Sequence, residues 1–320
     1  MITPFTPVNV RWSRRIATHV VLVCAVVFFS ALCWGAPTNA SASTKSRVIV
    51  AVGAENEYAN VLSQIGGEYV KVSSILEDPN TDPHTFEASA SVAQEISRAQ
   101  LIVQNGVGYD GFMNKIETAA PNIKRKIVVA QDVLDLPTDT PNPHLWYSPK
   151  TMPAVASAIA KDLEKLDPSH SAYFQKNLAS FTASLQPWLR AIAAFKSKHG
   201  GTSVAVTEPV ADYLLKAMGL RILTPFVFQA DIMNGVDPAP EDISLEEGFF
   251  TKHQAKVFCY NQQVVDSLTA TIKQSAVSAK VPVVGAYETM PTGYDYQTWM
   301  LAEVNAIGAA ITRHRSTEKL

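Results

Sequence analysis

Five side chains in this sequence have the chemistry to hold a divalent metal ion: His84, His144, Glu208, Glu288 and Asp295. His84 lies in the run Pro79-Asn80-Thr81-Asp82-Pro83-His84-Thr85-Phe86-Glu87, and His144 in Pro141-Asn142-Pro143-His144-Leu145-Trp146. Each histidine follows a proline, which stiffens the backbone and lowers the entropy cost of holding an imidazole in one geometry. Glu208 directly follows the apolar run SVAVT and precedes Pro209, Glu288 follows VPVVGA, and Asp295 opens the last helix-like segment. Taken singly these residues are ordinary: a loop histidine is commonly solvated or capping, and a glutamate after a strand commonly sits on the surface. Together, two imidazoles and two carboxylates suit a borderline-to-hard divalent ion such as Zn²⁺ or Mn²⁺.

Positioning them requires a scaffold, and the flanking sequence supplies one. Short apolar runs at 47–53, 69–76, 100–104 and 126–130 read as strands, alternating with helix-like segments at 57–65, 88–99 and 111–119. That alternation argues for a parallel α/β sheet, whose ligands sit beyond the carboxyl ends of the strands. From 149 to 198 no strand signal is present. Ser148-Pro149 starts one helix, Asp167-Pro168-Ser169 breaks it, and a second helix follows with an apolar stripe from Tyr173 through Leu185 to Phe195. The second helix spans roughly 30 residues, about 45 Å, with a kink expected at Pro187, and fits a spine between two lobes. The βα alternation then resumes, with strands expected at 203–207, 220–227, 256–260 and 281–286 and helices at 211–218, 245–253, 264–279 and 294–312. The pattern implies an α/β fold of two lobes, 43–148 and 201–320, joined by a helical connection over 149–200. No sequence repeat relates the two halves.

The first 42 residues belong to neither lobe. Arg11, Arg14 and Arg15 precede a nearly unbroken apolar run from Ile16 to Leu32, and Ala40-Ser41-Ala42 follows the small-x-small rule. This reads as a secretory signal peptide cleaved after Ala42, with an uncleaved membrane anchor as the alternative. Leu32 is too bulky for the usual lipobox before Cys33. Cleavage takes three of the 27 basic residues and none of the 29 acidic ones, leaving a net charge of −5. That balance excludes the basic footprint of a nucleic-acid binder. Cys24 and Cys33 leave with the signal, so Cys259 remains alone and reads as a small buried hydrophobe.

The chain resembles the metal-specific solute-binding proteins of bacterial ABC transporters, the TroA-like fold. The resemblance covers essentially the whole mature chain. It rests on Thr81-Asp82-Pro83-His84-Thr85-Phe86-Glu87, Val103-Gln104-Asn105-Gly106-Val107-Gly108, Asn142-Pro143-His144-Leu145-Trp146 with Ser148-Pro149, the Asp167-Pro168 break, and Thr207-Glu208-Pro209-Val210 before Tyr213-Leu214. It implies an exported monomer that carries Zn²⁺ or Mn²⁺ to a membrane permease, with Fe²⁺ also open, and performs no reaction on the ion. It implies His84 and His144 as ligands from the first lobe and Glu208 as the third. For the fourth, the family often places an aspartate just before an aromatic-rich last helix. Asp295 is offered there and slightly favoured, although its offset from Tyr296 departs by one residue from the usual pattern; Glu288 competes. The His- and acid-rich loop of some zinc-specific members is missing, which leaves zinc unsecured. An adhesin-like surface role coexists with metal binding in some members.

Two other classes compete. Gly106, Gly108 and Gly111 fit G-x-G-x-x-G after a strand, with Asp132 placed 21 residues beyond Gly111, the spacing of a dinucleotide-binding oxidoreductase. An exported location, the third strand rather than the first, and a short following helix count against it. A zinc hydrolase would need an open coordination position, and neither H-E-x-x-H nor G-x-S-x-G occurs. His170 reads as a helix-start surface residue, and His199, His253 and His314 as residues near helix C-termini, where a cation suits the dipole. Trp146 and Trp188 read as packing residues.

Overall fold

Each of the eight apolar runs contributes a parallel strand. The computed structural model describes residues 48–80 and 83–320. The first half holds β1 (Ile49–Glu55), β2 (Val70–Leu76), β3 (Leu101–Gln104) and β4 (Lys126–Val129), hydrogen-bonded in the order β2-β1-β3-β4. The second holds β5 (Ser203–Val206), β6 (Arg221–Ile222), β7 (Phe258–Asn261) and β8 (Val283–Ala286), in the order β6-β5-β7-β8. All pairings are parallel, with registers such as Ala51 opposite Leu101 and Cys259 opposite Val284. Every residue of β3, β5, β7 and β8 is buried, as a parallel sheet covered on both faces requires. In both sheets the order reverses beside the first strand of the half, and the crevice at the carboxyl ends there is where such folds bind ligands.

The helices are α1 (Asn56–Gly66), α2 (Ala90–Arg98), α3 (Gly111–Ala119), α4 (Ala130–Val133), α5 (Thr151–Leu166), α6 (Ser171–Ser184), α7 (Gln186–His199), α8 (Asp212–Ala217), α9 (Phe226–Met233), α10 (Pro240–Thr251), α11 (Ser267–Ser278) and α12 (Tyr296–Arg313). The expected spine is two 14-residue helices, α6 and α7, that meet at Leu185. Leu185 keeps helical dihedrals (φ −75°, ψ −16°), and Pro187 falls in the first turn of α7, where its missing N–H costs least. The largest apolar core crosses from one half to the other. It runs from Ile49 and Val103 through Trp146 and Trp188 to Trp299 and Val284, with α12 packed on both α7 and α1. Each fully buried large apolar side chain in it contributes about 1.5–3 kcal/mol. A core shared in this way resists wide opening of the halves, because parting them would expose it.

The structure departs from the sequence reading in three places. The strand expected at 220–227 is only Arg221–Ile222; Pro225 caps a helix at Phe226, so an apolar run with a central proline serves two elements. The helix expected from 245 begins at Pro240, whose fixed φ suits a first turn. Tyr294 and Asp295 lie before α12 rather than within it. The signal-peptide reading lies outside the described residues. Among the described residues no helix is long and apolar enough to cross a membrane.

Candidate metal centre

Three of the five candidate side chains converge. His84 Nε2 lies 3.1 Å from Glu288 Oε2, and His144 Nε2 lies 3.3 Å from the same oxygen. The ligating atoms of the three residues all lie within 4.8 Å of one another. In a tetrahedral shell, neighbouring donors stand about 1.6 bond lengths apart, or about 3.3–3.4 Å for bonds of about 2.0–2.1 Å. The two nitrogen–oxygen separations are therefore those of donors that can share one small cation.

Each donor is delivered by the edge of a sheet. His84 sits in a short 3-10 turn, Pro83–Thr85, beyond β2, and its side chain is 27% exposed. His144 is fully buried and immediately precedes a second 3-10 turn, Leu145–Tyr147. Its loop is tied to the first half by Asn105, which donates through Nδ2 to the Pro143 carbonyl (2.8 Å) and accepts from the Tyr58 hydroxyl (2.7 Å). The His144 ring packs edge-on to Trp146 and Tyr109. Asn142 Oδ1 lies 2.8 Å from His144 Nδ1 and accepts the His144 backbone N–H at 3.0 Å.

Glu288 stands two residues past β8 and is fully buried. Its backbone N–H donates to Gln263 Oε1 (2.6 Å), which sets the loop. Asn261, the last residue of β7, donates through Nδ2 to Glu288 Oε1 at 2.6 Å, leaving Oε2 turned to the histidines. The Tyr109 hydroxyl donates to Oε2 at 3.0 Å. Burial by itself would raise the pKa of this carboxyl, but hydrogen bonds and charge from His144 and His84 outweigh it and hold it well below the usual carboxylate range. Burial, and then the Glu288 charge, push the Tyr109 phenol up, so it remains a donor. Glu55 and Glu57, at the end of β1 and the start of α1, are also fully buried, and burial pushes both well up.

The other two candidates are placed differently. Glu208 is buried just past β5 and lies one amide away from the cluster: Asn261 Nδ2 donates to Glu208 Oε1 at 3.2 Å as well as to Glu288. Asp295, favoured over Glu288 from the sequence, is not brought to the histidines. It is an exposed helix cap whose backbone N–H donates to Thr298 Oγ1 (3.0 Å) and whose Oδ1 accepts from Asn60 on α1 (3.1 Å). Tyr109, Asn261 and Gln263 were missed by the sequence reading. Their signal was positional, because each lies just beyond or at the carboxyl end of a strand.

The glycine turn after β3 does not form a phosphate cradle. Asp110 accepts the backbone N–H groups of Asn105 (2.5 Å) and Gly106 (3.0 Å), and Gln131 Oε1 accepts that of Val107 (2.7 Å). Gly106 has φ +82°, and a Cβ there would meet Gln131 and Val129 at about 2.8 Å, so the glycine serves a tight turn. The dinucleotide reading therefore has no support.

The sequence and the fold have known relatives. The family described as "ZnuA: Zinc-uptake complex component A periplasmic" matches residues 52–310. The chain is 26% identical over 244 residues to the manganese ABC transporter substrate-binding lipoprotein PsaA of Streptococcus pneumoniae, covering 72% of this chain and 76% of that one. It is 24% identical over 216 residues to the manganese-binding lipoprotein MntA of Bacillus subtilis, covering 63% and 70%. The crystal structure of ZnuA superposes with a TM-score of 0.68 at 21% identity, covering 83% of this chain and all of that one. Two parallel-sheet lobes with this strand order, and a family match spanning most of the sequence, place the chain in the ZnuA family of periplasmic zinc-uptake components.

Proposed function

We propose that this chain is the exported substrate-binding component of an ABC importer, capturing a divalent transition metal, Zn²⁺ or Mn²⁺, and delivering it to the membrane permease. The observation that carries the reading is the convergence of His84 Nε2, His144 Nε2 and Glu288 Oε2 on one spot. Glu208, which shares the Asn261 amide with Glu288, is the fourth ligand. Four protein donors surround the ion and leave no open position for a reacting water, which suits cargo rather than a catalytic metal. The relatives point to both metals, since the family is named for zinc and the two relatives for manganese. In a test tube, such a nitrogen–oxygen set favours zinc whatever the physiological cargo. The arginines followed by the apolar run within residues 1–42 support the export reading.

Calorimetric titration of the purified protein with Zn²⁺ and with Mn²⁺ tests the proposal. One ion per chain is expected, with zinc the tighter, and no tight binding in the His84→Ala/His144→Ala double variant. Absence of binding by both ions, or unchanged affinity in the double variant, contradicts it.

A further inference from the structure

We infer that Asn142 is a positioning residue that locks His144 in its ligating tautomer and ties it to the Glu208 turn of the other half. The inference deepens the metal-capture reading and rests on it for the affinity effects alone.

The orientation of the Asn142 amide is fixed from both ends. Its oxygen faces the His144 backbone N–H at 3.0 Å, a group that can only donate, and its nitrogen faces the Pro209 carbonyl at 2.7 Å, a group that can only accept. Oδ1 is therefore the oxygen, and His144 Nδ1, 2.8 Å from it, must carry the proton. That leaves Nε2, the nitrogen that faces Glu288, as the ring atom for the ion. A hydrogen bond to the remote ring nitrogen is how a protein fixes the tautomer and orientation of a metal-binding histidine. Asn142 is itself buried, so neither hydrogen bond is readily replaced by water. The same side chain reaches across the cleft. Pro209 directly follows Glu208, and the Tyr213 hydroxyl on α8 donates back to the Asn142 carbonyl at 2.9 Å. The amide thus fixes the imidazole ring in one half and holds the backbone of a carboxylate in the other.

Two variants separate these roles from simple support of the fold. Asn142→Leu removes both polar contacts at similar volume, while Asn142→Asp keeps the acceptor for His144 and loses the donor to Pro209. The readouts are nitrogen-15 NMR of the His144 ring in the metal-free protein and zinc affinity by chelator competition. In the parent, Nδ1 is expected to carry a proton. Asn142→Leu should lose it and bind zinc about 10–100-fold more weakly. Asn142→Asp should keep the tautomer and recover most of that affinity. The inference is overturned if Nδ1 carries no proton in the parent, or if Asn142→Leu retains either the Nδ1 proton or the parent affinity. Should Asn142→Leu fail to fold, Asn142→Asp decides: loss of the Nδ1–H tautomer, or binding as weak as that of His144→Ala, overturns the inference. A parent with the Nδ1–H tautomer, lost in Asn142→Leu, that binds neither zinc nor manganese would sink the transport reading and leave the tautomer lock standing.

Discussion

The strand order β2-β1-β3-β4 of the first half is matched by β6-β5-β7-β8 in the second, yet the halves send different chemistry to the cleft. The first half sends two imidazoles and the Tyr109 phenol. The second sends Glu288 and Glu208, steered by the Asn261 amide. Equivalent scaffolds therefore place unlike donors: imidazole nitrogen on one wall, carboxylate oxygen on the other. Neither wall is a complete site, and the pair becomes complementary to a small cation because the walls differ. The two histidines differ too. His144 is fully buried and wired through Asn142, whereas His84 is 27% exposed at the rim.

Substitutions along this division sharpen or break it. The largest effect is expected from Glu288→Gln, which keeps the shape and removes the charge of the second wall. Zinc affinity should fall by at least about a thousandfold, or ~4 kcal/mol, in chelator competition. An affinity close to that of the parent would place the anionic ligand elsewhere. His144→Ala should follow, weakening zinc by several hundredfold, on the order of 3 kcal/mol. It should also lower stability to urea by about 1–3 kcal/mol, because it leaves Asn142 and Glu288 short of a buried partner. His84→Ala should weaken zinc by about a hundredfold and shift stability by less than about 0.5 kcal/mol, as expected at a partly exposed position. Equal stability losses in the two histidine variants would erase the distinction between frame and rim. The smallest effect on binding is expected from Asp295→Ala. Metal affinity should match the parent, with about 1 kcal/mol of stability lost from the start of α12. A large loss of affinity there would restore Asp295 as a ligand.

Much of this was legible in the sequence for physical reasons. The eight strands were found because buried parallel strands are short, continuous apolar runs between turn residues. His84 and His144 stood out because each follows a stiffening proline, and Glu208 because it directly follows a strand-like run. The choice between Glu288 and Asp295 was not legible in the same way. Glu288 is two residues past β8, so the strand register carries it into the cleft. Asp295 lies beyond Pro291 and Gly293, after a turn whose path depends on docking against α1, where Asn56 exchanges two hydrogen bonds with Met290 (2.8 and 2.9 Å). Long-range contacts of that kind leave no periodic trace. Nor did the relation between the halves show as a repeat, because strand order is kept by sheet geometry and tolerates unrelated side chains. The strand expected at 220–227 failed on local chemistry: Pro225 was a visible signal that the apolar run was two elements.

The central claim is that one cation sits between the imidazoles of the first half and the carboxylate of the second. Crystals of the metal-loaded protein, with diffraction data on either side of the zinc and manganese absorption edges, test it directly. The account predicts a single anomalous peak at bonding distance, about 2.0–2.2 Å, from His84 Nε2, His144 Nε2 and a Glu288 oxygen, with Glu208 turned toward it. A peak bound elsewhere, or one ligated by Asp295 with Glu288 turned away, would contradict it.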